Sequence, residues 1–91
     1  MKRYIIEREI PGIHRLGAEP LSTAAKVSNA ALAQLAPRVQ WVHSYIAENQ
    51  TFCLYLAESE DAVREHASIS GFPATRITEI SGMIDPTTAG A

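Results

Sequence analysis

The stretch VQWVHSYIAENQTFCLYLA, residues 39–57, decides the fold of this chain. Val39–Ala47 and Thr51–Ala57 are two runs rich in β-branched and aromatic residues, and the polar Glu48-Asn49-Gln50 between them reads as a hairpin connection. Downstream, Ser59 is placed to cap a helix whose first residues, Glu60 and Asp61, suit the positive end of its dipole. Val63 and Ala67 share the apolar side of that helix, with His66 at its edge. Gly71 stands where a left-handed residue after the helix is wanted, Pro73 follows, and Arg76–Ile80 reads as a short last strand. Upstream, Pro37 ends a helix over roughly residues 23–36, with Ser22 as its cap and Ala24, Val27, Ala31 and Leu35 as its buried stripe. Residues 12–21 show no periodicity and read as a loop. Residues 1–10, centred on Tyr4, Ile5 and Ile6, form a first strand that Pro11-Gly12 stops.

The order is therefore βαββαβ. With right-handed crossovers it gives an α+β, ferredoxin-like subunit: a four-stranded antiparallel sheet with two helices on one face. The 91 residues make one domain, assigned to residues 1–84, and residues 85–91 read as a flexible tail. Apolar residues are 46% and charged residues 20%, which excludes a disordered tail, a collagen-like chain and a coiled coil. A formal charge of −2 offers no basic footprint for nucleic acid or an anionic membrane. One cysteine cannot form an internal disulfide. The first twenty residues are charged and lack the apolar core of a signal peptide, and no apolar run is long enough to span a bilayer, so the expected location is the cytoplasm.

Two helices on one side leave the other side of the sheet bare, and alternation decides what it carries. Phe52, Leu54 and Leu56 make one face of the third strand, and Thr51, Cys53 and Tyr55 the other. In the second strand, Val42 and Ile46 oppose Trp41, His43 and Tyr45. If the aliphatic residues pack under the helices, the bare face holds Trp41, His43, Tyr45, Cys53 and Tyr55, with Ile5 and Arg3 or Glu7 from the first strand. That assignment requires a three-residue hairpin loop pairing Tyr45 with Cys53 and His43 with Tyr55. A two-residue loop would instead set His43 beside Leu54 and scatter the polar set. So much aromatic surface points to an interface, most economically a second copy laid sheet to sheet in a dimeric α/β barrel. Imidazole and thiolate inside such a barrel suit nickel, zinc or copper, with a carboxylate or phenol oxygen to complete the shell. The ligand set read in this way is His43, Cys53, Glu7, Tyr45 and Tyr55, with Trp41 and Ile5 lining the cavity. His14 lies in the loop and His66 on a helix edge, and neither is assigned a role.

Trp41-Val42-His43-Ser44-Tyr45 and Thr51-Phe52-Cys53-Leu54-Tyr55 resemble the small bacterial nickel-responsive, nickel-binding proteins, a family otherwise filed as a domain of unknown function. Arg3–Arg8, Glu60–Ala67 and Gly71–Glu79 extend the resemblance to about Ile80. It implies a ferredoxin-like subunit, a homodimer and, in at least one branch, bound nickel. His43 and Cys53 are carried over as motif positions, with Tyr45 and Tyr55 as companions, whereas Glu7 rests on face assignment alone.

The leading functional expectation is a non-enzymatic homodimer that binds nickel or a similar divalent ion, in metal storage, buffering or response. The alternative is a small dimeric α/β-barrel enzyme, monooxygenase- or isomerase-like, or a small-molecule-binding module using the His-, Cys- and Tyr-lined cavity. No catalytic triad or carboxylate pair is legible to favour the enzyme.

Overall fold

The computed structural model describes residues 1–90. Its elements are β1 (Lys2–Glu9), a 3-10 turn (Ile13–Arg15), α1 (Ala18–Leu35), β2 (Val39–Ile46), β3 (Gln50–Ala57), α2 (Glu60–Ser70), β4 (Arg76–Ile80) and a second 3-10 turn (Pro86–Ala89). All three sheet pairings are antiparallel and the strand order is β2-β3-β1-β4, the ferredoxin-like arrangement. β1 and β3 are the interior strands. α1 packs on α2 and β2, and α2 on β3 and β2.

The second helix forms as its sequence dictates. The Ser59 hydroxyl accepts from the Ala62 N–H at 3.2 Å, and Gly71 closes the helix at φ 79° with its N–H on the Ala67 carbonyl. The first helix starts earlier than Ser22 suggests, at Ala18 after Gly17. Pro20 lies in its first turn, where a missing N–H costs no helical bond, and Glu19 meets the positive end of the dipole. Its buried residues are Ser28, Ala31 and Leu35, while Val27 is exposed. The tail is not irregular throughout. The Asp85 carboxylate accepts from the Thr87 hydroxyl and, capping the last 3-10 turn, from the Thr87 N–H at 2.9 Å, and those bonds hold it below the usual carboxylate range. Ala91, the end of the expected flexible tail, lies outside the described residues.

The hairpin corrects the expected register. The Ala47 N–H donates to the Gln50 carbonyl at 2.8 Å, so the connection is the two residues Glu48 and Asn49. From it the ladder pairs Ile46 with Thr51, Tyr45 with Phe52, Ser44 with Cys53 and His43 with Leu54. A bulge at Val42 then shifts the register, and Trp41 pairs with Tyr55.

The faces follow, and they exchange most of the expected set. Tyr4, Ile6, Val39, Cys53, Tyr55 and Ala57 form the buried core under the helices, with Trp41 packed against it. Ile5, Leu54 and Leu56 are half-buried on the open side, together with exposed Val42 and Tyr45. The physical reason lies on the helices. Many of their inner positions are small, with Ala24, Ala25, Ser28 and Ala31 on α1 and Ala62 and Ala67 on α2 standing beside the larger Leu35, Val63 and His66. Small helix residues leave room for the large rings of the sheet, so close packing puts the rings inside.

Candidate functional site

The open face of the sheet carries His43. Val42 at the bulge and His43 just after it both line the same shallow concavity of about 510 Å³ with Tyr45, Leu54, Ile5 and Met83. His43 is exposed, and its ring meets Tyr45 edge-on at 5.0 Å between centroids. Glu7 lies on this face too, opposite Phe52 on one side and Arg76 on the other. Gln50 Nε2 donates to its carboxylate at 3.2 Å, and Arg76 approaches to 3.8 Å. β3 separates it from the strand bearing His43.

Of the sequence-derived site residues, His43, Tyr45, Glu7 and Ile5 therefore share the bare face. Cys53, Tyr55 and Trp41 lie on the helix side, which corrects their expected placement. The Cys53 thiol is buried and shares a 3.4 Å hydrogen bond with the Thr51 hydroxyl. Trp41 Nε1–H donates to Ser44 Oγ at 2.9 Å, across the register shift. His14 is bound to the hairpin, its Nδ1–H donating to the Glu48 carbonyl at 2.6 Å. That bond, with the Asn49 side chain accepting from the Gly12 N–H at 2.8 Å, clamps the first loop onto the β2–β3 turn.

A polar cluster under the helices escaped the sequence reading. Arg8 on β1, only 3% exposed, donates to the Pro73 carbonyl at 2.7 Å and approaches the Tyr55 hydroxyl at 3.5 Å. His66 is wholly buried rather than at a helix edge. Its Nε2 shares a 3.2 Å hydrogen bond with Ser28 Oγ, and Nδ1 has no partner among the described residues. The available signal was spacing: His66 stands three residues after Val63 and four after Ala62, the centre of the buried stripe. Burial lowers the His66 pKa, with Arg8 acting in the same direction, and burial raises that of Tyr55 against the opposing pull of Ser28 and Arg8.

The His66 shift has a pH signature. In the unfolded chain the imidazole takes up a proton near its ordinary pKa of about 6.5, whereas the folded chain resists it. The stability contribution is whole above that pH and is lost as pH falls below it, with a slope of at most about 1.4 kcal/mol per pH unit. Urea denaturation at pH 7 and pH 5 is expected to show that loss in the native chain and a smaller one in His66→Gln. An equal loss in both contradicts the assignment to His66.

Among the described residues, no group of three or more His, Cys, Asp or Glu side chains gathers where it could hold a metal ion. One chain presents a single accessible imidazole on the open face, fewer donors than a nickel ion uses.

Fold and site together define a ferredoxin-like α+β protein with one helix-covered face and one bare face that displays a histidine. The family model described as nickel responsive protein SCO4226-like matches residues 4–80, and the chain belongs to that family. It is also similar in fold to the crystal structure of SCO4226 from Streptomyces coelicolor A3(2). The TM-score is 0.75 at 18% identity, over 90% of this chain and 99% of the other. No curated protein matches the chain. Among the described residues, no helix is long and apolar enough to cross a membrane.

Proposed function

We propose that this chain is a non-enzymatic nickel-binding protein of the cytoplasm, acting in metal storage, buffering or response as a homodimer paired through the open faces of its sheets. The observation that carries the reading is an exposed imidazole, His43, on a sheet face that the helices leave bare. The nickel-responsive description of the family supports the metal, and imidazole with oxygen donors would accept similar divalent ions as well. Apolar side chains around His43 support the second copy, because a surface of this kind is ordinarily covered. Two copies bring two imidazoles, and Glu7 and Tyr45 are the further oxygen donors on the same face. Cys53 and Tyr55, facing the helices, stand apart from this set. His43 would hold the ion as a neutral imidazole donor, and the flanking apolar residues would exclude water from it.

The test is thermal unfolding of chelator-treated protein with and without nickel. At about 100 times the dissociation constant, bound metal is expected to raise the melting temperature on the order of 10 °C. His43→Ala is expected to lose the rise and Cys53→Ser to keep it. A rise that survives His43→Ala, or no rise in the unmodified protein, overturns the proposal.

A further inference from the structure

A second site lies on the opposite side of the sheet, between α1 and the ends of β2 and β3. It is a cleft of about 230 Å³ lined largely by apolar groups. Half-buried Leu21 and Ala25 on α1 and exposed Ile46 on β2 flank its accessible side, and the Arg8 guanidinium with Tyr55 and Ser28 forms its polar part.

Arg8 is the unusual member. It is a buried cation with no carboxylate within ion-pairing distance among the described residues. Its protein acceptors are the Pro73 carbonyl and, at the limit of hydrogen bonding, the Tyr55 hydroxyl, so most of its five N–H donors have no protein partner. The Phe72 and Tyr55 rings lie 5.7 and 6.0 Å from the guanidinium carbon, partial compensation for lost water. Burial disfavours ionisation of Tyr55 and protonation of His66, so the packing favours neither a phenolate that would pair the charge nor an imidazolium that would add to it. A charge held out of water is costly unless paired.

We propose that this cleft binds a small monocarboxylic acid with an aromatic or branched aliphatic body, its carboxylate on Arg8 and its apolar part between α1 and β2. One guanidinium beside neutral hydroxyls matches a single negative charge, and the planar fork of arginine pairs with a carboxylate through two parallel bonds. Size agrees: an apolar cavity of about 150 Å³ holds benzene, so this cleft has room for a ring or short branched chain bearing a carboxyl. The proposal is independent of nickel and of the open face.

Trp41, the sole tryptophan, lines the cleft and reports on it. The intact protein is titrated with benzoate and 4-methylpentanoate, and with benzamide and 4-methylpentanamide as neutral counterparts, following Trp41 emission and melting temperature. At least one carboxylate is expected to bind saturably, about tenfold or more tighter than its amide. Arg8→Met removes an unpaired buried charge and is expected to abolish that preference. Ala25→Phe fills the mouth and is expected to block the acid while Arg8 stays. No response to either carboxylate up to about 10 mM, equal binding of the amides, or a preference that survives Arg8→Met overturns the proposal. Should Arg8→Met not fold, undiminished carboxylate binding in Ala25→Phe overturns it instead.

Discussion

Leu54→Arg is expected to leave the protomer folded and to abolish its pairing. Leu54 lies on interior strand β3, with His43 opposite on β2 and Ile5 opposite on β1. It is half-exposed on the open face of one chain, so an arginine there reaches water and costs the isolated fold little. In a dimer joined through that face, the same arginine is buried near the middle of an apolar surface. Two-fold symmetry places two of them in each dimer. At about 3 kcal/mol or more for each unpaired buried charge, the dissociation constant rises by roughly four orders of magnitude. Sedimentation equilibrium of the two proteins reads this directly. Unmodified chain is expected to run as a dimer and Leu54→Arg as a monomer with native circular dichroism. A Leu54→Arg protein that still dimerises places the interface elsewhere.

Ile6→Ala is expected to cost the fold itself about 2–5 kcal/mol. Ile6 is 0% exposed, on the interior strand β1, paired with Cys53 on one side and Ile77 on the other. It belongs to the cluster that includes Val63 of α2, and the lost methyl and methylene groups leave a cavity that rigid strands on both sides cannot close. For a domain of this size the loss is a large share of total stability, ordinarily about 5–15 kcal/mol. The neighbouring Ile5→Ala is the control. Ile5 points to the open face and is half-buried, so in dissociated protein its loss costs well under that of Ile6. Urea denaturation in the Leu54→Arg background compares the two. Equal losses would mean that the faces are the reverse of those described.

These two variants bear on the point where the sequence was least legible. Element order was readable because its signals are local: the β-rich runs, the Ser59 cap, the glycine at position 71, the prolines that punctuate. Each was met, and the ferredoxin-like topology followed from handedness. Which face turns inward is not local. It depends on the turn between β2 and β3, where two residues rather than three shift the ladder by one, and on the bulge at Val42, which shifts it again. Neither Glu48-Asn49 nor Val42 carries the glycine that usually advertises such geometry. The preference for aliphatic residues under helices also misled, because alanine-lined helices accept rings. So His43, Tyr45, Glu7 and Ile5 were grouped on the open face as the structure has them, while Cys53, Tyr55 and Trp41 were grouped with them against it. Arg8 and His66 were passed over for a related reason. Charged and titratable residues are seldom fully buried, and their burial here depends on partners from distant parts of the chain, Pro73 for one and Ser28 for the other.

The measurement that bears most directly on the function is anomalous diffraction at the nickel absorption edge from crystals grown with the metal. A nickel peak is expected at bonding distance from the His43 imidazole, on the open face of the sheet and between two copies of the chain. A peak on the Cys53 thiolate under the helices, or a nickel ion held wholly by one copy away from His43, would contradict it.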